Sequence, residues 1–448
     1  MNLWTNVYRL KKLPCVLTIG LGTTQKLENI HVIETDFNIQ QSGRLADWNT
    51  YTHSSNKVNN LKKAAKQFYF SNLEDTVNNA RSENPKKYWK YVHTYILVKW
   101  NSKSESIPIL SHFDNNEEKL FFSDKDKAEC LNEYFASIST VDESLTTLPS
   151  FTEKCNNTLN EIVIPIDDVV NIITSLEVNK AVGPDMISLK LLIFFTKHTI
   201  SKPLCAIFNK SLWIGIFPQQ WKESIFFPLF KKGDKSTIGN YRPISLLSCI
   251  GKLIKRCVYK HLYNHLHFNT LIHPKQSGFL KGHSTVHQLW DIYHGIASSI
   301  DSKNNLCMIV CDISKAFDRV WHTGLLFKLQ QCGFDGSLLS WIKNYLTSRH
   351  QRVIVGSVKS NPRPVTAGVP QGSVLGPSFF LVYVNDTADN LISISRLFPD
   401  DTSLDCSASN INDIEGILNH GLPSMSAWSK QWLVSFNHLK TEAILFSN

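Results

Sequence analysis

The stretch LCMIVCDISKAFDRVWH, residues 306 to 322, decides how this chain is read. Its continuous apolar run, Leu306 to Val310, has the length and β-branched character of a buried strand, and the strand runs into Asp312. A carboxylate at the mouth of a buried strand is poorly solvated unless something pairs with it, and a divalent cation would do so. A second acidic element, SRLFPDDTSLDC at 395 to 406, leads Leu397 and Phe398 into the adjacent pair Asp400 and Asp401, with Leu404 beyond them. Neighbouring carboxylates at a tight turn repel each other, and a metal relieves that repulsion most directly. Oxygen donors without thiolates or imidazoles nearby favour magnesium or manganese over zinc. The plain alternative is an ordinary surface turn, since turns commonly carry paired aspartates. A shared site requires the fold to bring the two strand ends together.

Outward from these elements, turn signals and apolar runs alternate densely after residue 175. VGPD at 182 to 185, KKGD at 231 to 234, YRP at 241 to 243 and VPQG at 369 to 372 each punctuate a strand or helix pattern, which implies mixed helix and strand. In GKLIKRCVYKHLYNHLHF, Ile254, Val258, Leu262 and Leu266 form one apolar stripe, with Lys252, Lys255, Arg256 and Lys260 largely off it. Upstream, Ser123 followed by Asp126 is a capping signature for a helix whose Ala128, Leu131 and Phe135 share a face. Ile162 to Ile166 reads as a short strand-like run before a helix carrying Val169, Ile172 and Ile173. Lys62, Lys63, Lys66, Lys86, Lys87 and Lys90 interleave with Phe68, Tyr88, Trp89 and Tyr91, a pattern that serves either as a solvated helix face or as a grip on single-stranded nucleic acid. Residues 1–60 are polar and aperiodic, and read as a poorly ordered lead-in.

Composition bounds the function without fixing it. The chain has 448 residues, 42% apolar and 11% aromatic, enough for a sizeable core. A net charge of +9 suits a polyanionic partner without requiring one. The ten cysteines are scattered, with no zinc-ligand spacing, as expected of reduced thiols in an intracellular protein. Basic stretches are too sparse to decide between nucleus and cytoplasm. No apolar run approaches the roughly 20 residues of a membrane span.

The ordered series across residues 179 to 446 resembles the reverse transcriptases of non-LTR, LINE-type (jockey-like) retrotransposons. NKAVGPDMISLKLL, WKESIFFPLFKKGDKSTIGNYRPISLLSCIGKLIKRCV, HPKQSGFLKGHSTVHQL, CDISKAFDRVWH, GVPQGSVLGPSFFLVYVND, FPDDT and WLVSFNHLKTEAILF follow in that family's order, and the order carries the likeness. NPKKYWKYV and SDKDKAECLNEYFASI resemble, more weakly, the family's linker between endonuclease and polymerase. The resemblance implies an α+β fold, a right-hand polymerase with fingers and an antiparallel palm sheet over 176–448, a helical linker region at 61–175, and a thumb that is absent or truncated. It implies two-metal, RNA-directed DNA synthesis with two magnesium ions, manganese being the alternative, on an RNA template with a DNA primer and deoxynucleoside triphosphates. Oligomeric state stays open.

Carried over residue by residue, the likeness makes Asp312, Asp400 and Asp401 catalytic metal ligands, with Ile313 adding a backbone carbonyl. Phe317 matches the bulky residue that screens the sugar 2′ position. Lys231 and Arg242 match positions that grip the triphosphate, Gln371 and Gly372 the block against template and nucleotide, and Lys440 a late cation approaching the triphosphate. Two positions depart from the family: His438 stands where proline is common, and Pro399 precedes the paired aspartates. Proline fixes φ and removes an N–H just where a β-hairpin needs its ladder bond, so a distorted metal-binding turn is expected. That distortion, with a chain ending just after the last palm motif, is the ground for an alternative reading as an inactive relic that only binds nucleic acid.

Overall fold

Short apolar runs bounded by turn residues become strands here, and longer amphipathic stretches become helices. The computed structural model of the chain describes Asn60 and residues 107–447, with breaks at 115–116, 145, 152, 178–182, 186, 188, 190–191, 194–199 and 390. The expected lead-in, the basic-aromatic stretch at 62–91 and much of the opening block at 179–192 therefore lie outside the described residues. In chain order the first elements are β1 (Leu110–Asp114), β2 (Glu117–Phe121), α1 (Asp124–Ile138), α2 (Ile166–Thr174) and α3 (Ser201–Trp213). Then come β3 (Ser224–Phe230), β4 (Tyr241–Leu247), α4 (Cys249–Phe268), α5 (Thr285–Asp301) and β5 (Asn305–Asp312). After these follow α6 (His322–Gln331), α7 (Gly336–Leu346), β6 (Arg349–Val355), β7 (Val358–Lys359), β8 (Arg363–Val365) and α8 (Leu375–Val384). The last are β9 (Ile394–Phe398), β10 (Asp401–Ala408), α9 (Ile411–Gln431) and β11 (Glu442–Phe446).

Two larger sheets organise the site. One has four strands in the order β11-β5-β10-β9, every neighbouring pair antiparallel. The other has five, with β4-β3-β6-β7 in line and β8 on β6; β3 and β4 form an antiparallel hairpin through the KKGD turn, and β3 runs parallel to β6. The α+β class is as expected. The main core gathers helices around α4, whose Ile254, Val258, Leu262 and Leu266 are all buried, as their spacing implied. A smaller core joins Ile309, Cys311 and Leu404 of the four-stranded sheet to Ile414, Leu418 and Met425 of α9. The other face of that sheet is pinned to α5 by Arg396, which bonds both Asp405 beside it and Asp291 on the helix.

One expectation needs correction: the segment expected to be helical contains the hairpin β1–β2, within a compact unit that runs from Ser106. Strands of five residues are too short to show a period of two against helical surroundings. Helix α1 does form, capped by Ser123, which accepts from the Asp126 amide at 3.1 Å. It packs its Ala128, Leu131 and Phe135 with Tyr241, Val353 and Val355 of the five-stranded sheet, so it belongs to this unit. Residues 161–165 are extended without ladder pairing, and helix begins at Ile166. No described helix is long and apolar enough to cross a membrane.

Candidate active site

The apolar run 306–310 is the central strand β5, paired on both sides, and it delivers Asp312 at the sheet's end. Across the ladder, Asp401 at the start of β10 is the register partner of Asp312. In an antiparallel pair, directly opposed residues put their side chains on the same face. Asp400 sits in the two-residue turn between β9 and β10, and its carbonyl accepts from the Ile313 amide at 2.9 Å, tying the turn to the chain just after Asp312. The sheet thus gathers the strand end and the aspartate pair, as a shared site needs.

Pro399 does not occupy a ladder position. The last pair of the hairpin is Phe398 with Asp401, and Pro399 is the first of the two turn residues between them. No ladder bond asks for an N–H at that place, so the proline costs the hairpin none of its pairing. The distortion expected from the sequence does not arise, and the turn-based ground for an inactive relic goes with it. The buried Pro399 ring rests on Gly278, and the segment before it runs along β9, with the Ser277 amide donating to the Leu397 carbonyl at 2.9 Å.

From the other side comes the chain before β11. The Asn437 amide donates to the Asp312 carbonyl at 2.8 Å, and Lys440 donates to both Asp312 carboxylate oxygens at 2.9 and 2.8 Å. Lys440, expected as a triphosphate contact, is thus an ion-pair partner of the first aspartate. Opposite stand Lys231 and Arg242, set by the β3–β4 hairpin, where the Lys231 amide extends the ladder to Asn240. The charge of Arg242, then burial, then Lys440, Lys232 and Lys315 pull the Lys231 pKa below its ordinary value. Cations on two sides of the cavity therefore feel one another, an arrangement an anion would relieve.

One cavity of about 690 Å³ is lined by Asp312, Asp400, Ile313, Lys440, Lys231, Arg242, Phe317, Gln371 and Gly372. Among the sequence-derived candidates Asp401 alone stands apart from that lining; it is exposed, yet partial burial of its carboxyl group, then the charges of Asp400 and Asp312, raise its pKa against the opposing pull of Lys440. Phe317 stacks on Phe380, 4.8 Å between ring centres and 22° between planes, and meets Phe279 edge-on at 5.8 Å. Gln371 donates to Asp318 at 2.7 Å, and Gly372 adopts φ +74°. Phe279, Lys315 and Asp318 also line the cavity and were not singled out from sequence. Lys315 and Asp318 lie inside the motif that supplied Asp312, and Phe279 inside the block HPKQSGFLKGHSTVHQL, so membership of a quoted motif was an unused signal for all three.

The donor set is all oxygen, and the mutual repulsion felt at Asp401 is of the kind a hard divalent cation relieves. Among the described residues, no three histidine, cysteine, aspartate or glutamate side chains converge tightly enough to form a coordination cluster, and Lys440 supplies the positive charge at Asp312. The residues present fit a metal in chemistry.

Residues 230–446 match the family model described as reverse transcriptase (RNA-dependent DNA polymerase). Over 338 residues, 72% of this chain and 37% of the relative, the chain is 30% identical to the probable RNA-directed DNA polymerase from transposon BS of Drosophila melanogaster. It is 31% identical over 294 residues to the RNA-directed DNA polymerase from mobile element jockey of the same species, covering 64% of this chain and 32% of that one. With the probable RNA-directed DNA polymerase from transposon X-element the figure is 32% over 286 residues, 62% of this chain and 31% of the relative. The chain spans about a third of the length of these relatives. Through residues 230–446 this chain belongs to the reverse transcriptase (RNA-dependent DNA polymerase) family, among those of non-LTR mobile elements such as jockey.

Proposed function

We propose that this chain is the polymerase part of a mobile-element protein and extends a DNA primer on an RNA template, with the four-stranded sheet as palm and the five-stranded sheet as fingers. The observation that carries the reading is the division of one cavity between carboxylates at the sheet end and cations on the hairpin facing them. Nucleotidyl transfer needs both, because a triphosphate must be gripped while its α-phosphate is attacked.

Asp312, Asp400 and Asp401, with the Ile313 carbonyl, are the residues that would hold magnesium. Two such ions, or manganese in their place, would supply the positive charge that lowers the pKa of a primer 3′-hydroxyl and balances a pyrophosphate leaving group. Arg242 offers a planar fork and Lys231 a mobile ammonium to the phosphate oxygens. Phe317 lines the cavity braced between Phe380 and Phe279, and a ring held there is suited to screen the sugar 2′ position, so that deoxyribose is accepted and ribose refused. Gly372, at a φ few side-chain-bearing residues tolerate, lets backbone approach the nucleotide, and Gln371 offers it a polar contact.

The test is primer extension on an RNA template with magnesium and deoxynucleotides. Extension by the native chain that disappears in Asp400→Asn supports the reading. Native chain that binds the primer–template but adds no nucleotide refutes it.

A further inference from the structure

The motif that supplies Asp312 folds after it into a tight turn, with the Asp318 and Arg319 amides donating to the Lys315 carbonyl at 2.9 and 3.1 Å. Against this turn lies the loop 367–372. The Val369 amide donates to the Phe317 carbonyl and the Gly368 amide to the Val320 carbonyl, both at 2.8 Å. The approach depends on Gly368: at φ +84°, a Cβ there would stand 2.6 Å from the Asp318 carbonyl oxygen and 2.8 Å from that of Phe317. One side-chain bond completes the junction, from Gln371 Nε2 to Asp318 Oδ1 at 2.7 Å.

We propose that Asp318 is a positioning residue: it fixes the orientation of the Gln371 amide and locks the sugar-screening Phe317 and the nucleotide-facing loop into one body. The inference rests on the polymerase reading above. A carboxylate only accepts hydrogen bonds, so Asp318 claims the nitrogen end of the Gln371 amide. The oxygen end is then the one left to accept from a nucleotide in the cavity, and the amide cannot present its donor there without breaking this bond. Asp318 is well placed for this because its carboxyl group is largely withdrawn from water, which raises its pKa, while the bond from Gln371 and the charge of Lys315 oppose the rise. Both Asp318 and Gln371 line the cavity, yet Asp318 carries no metal in the proposed chemistry.

The experiment compares Asp318→Leu, Asp318→Asn, Gln371→Leu and the Leu/Leu double variant in steady-state primer extension, with amide hydrogen exchange over 367–373 measured on the same proteins. Loss of a hydrogen bond to a buried carboxylate predicts a rise of about tenfold in KM for the deoxynucleotide in Asp318→Leu, with a smaller change in kcat. Asn keeps an acceptor oxygen and restores most of the affinity. The double variant is no worse than Gln371→Leu alone, because that change already removes both the bond to Asp318 and the contact it orients. Exchange over 367–373 accelerates in Asp318→Leu and not in Asp318→Asn. Unchanged KM and exchange in Asp318→Leu, or additive losses in the double variant, overturn the proposal. Absence of extension by the native chain refutes the polymerase reading instead, and the exchange comparison still decides whether Asp318 holds the loop.

Discussion

The Lys440 ammonium donates to both carboxylate oxygens of Asp312 across a sequence separation of 128 residues, so the charge that balances the first aspartate arrives from the last segment of the domain. Lys440 belongs to a turn fastened by its own amide to the Asn437 carbonyl, and Asn437 in turn donates to the Asp312 backbone. Strand β11 behind that turn pairs with β5, which carries Asp312. The same cation also acts on Lys231 across the cavity. Lys440 therefore stands between two partners: the carboxylate it now neutralises, and an anion drawn to the cationic side.

That position makes Lys440 a competitor for the site of a divalent cation. In Lys440→Met the magnesium concentration that half-saturates primer extension falls by about twofold to fivefold, the range expected of a partly exposed ion pair. KM for the deoxynucleotide rises in the same variant, because one triphosphate-facing charge is lost. A magnesium requirement that rises or stays fixed would show that Lys440 does not compete at Asp312.

Pro399 and Gly278 give a second prediction, opposite to the one read from sequence. Pro399→Ala leaves the hairpin register intact, and extension rates stay within about twofold of the native chain because no ladder bond changes. Gly278→Ala drives a methyl group into the proline ring and to 2.6 Å from its nitrogen, which costs on the order of 1–3 kcal/mol of stability and displaces the turn that holds Asp400. Combining the two changes recovers little, since the backbone nitrogen remains in the way. Thermal unfolding with extension assays on the three variants checks the order.

Phe317 is braced on two sides by other rings, so its removal opens a space rather than letting the side chain swing. Phe317→Ala lowers the preference for deoxynucleotides over ribonucleotides by about one to two orders of magnitude, measured as the ratio of their kcat/KM values. Phe317→Tyr, with the same ring, keeps most of it. Equal discrimination in Phe317→Ala would remove Phe317 from the role of sugar gate.

Much of this was legible because local pattern and global fold agree. The run before Asp312, the α4 stripe and the Ser123 cap each form as their residue types dictate, since burial and capping are satisfied within a few residues. What was illegible is non-local. Nothing in β3 announces that it runs parallel to β6, which lies more than a hundred residues later, and nothing in the NHLK turn announces its grip on Asp312. The error at Pro399 had a different source: residue type was read without knowing the hairpin's closing pair, and a shift of one residue separates a broken ladder from an intact one. Asp318 shared a motif with Asp312, but its partner Gln371 lies 53 residues on, and nothing local announces that pairing.

Behind the site, Lys328 on α6 is completely buried and bonds Asp386 and the Tyr383 carbonyl, with its ammonium 3.7 Å from the Trp432 ring centre. Trp432 begins the segment that leads to Asn437 and Lys440, so this buried pair anchors the strand that completes the cavity. Lys328→Met leaves Asp386 buried without its partner and lowers stability by about 3–5 kcal/mol, while Lys328→Met with Asp386→Leu regains most of the loss. Burial brings the Lys328 pKa down to about 8, the charge and hydrogen bond of Asp386 pulling it back up. Between about pH 8 and the ordinary lysine value near 10.5, the unfolded chain holds a proton on this side chain that the folded one has released. Stability contributed by this lysine therefore rises with pH across that window. Buried thiols such as Cys332, pushed up to about 11, act in the opposite direction above pH 9, so the native chain alone gives a mixed curve. The difference between the native chain and Lys328→Met removes them: the gap in unfolding free energy widens from pH 8 to 10. A gap that narrows would mean that Lys328 keeps its charge in the core throughout, bound to Asp386 more tightly than its burial penalises it.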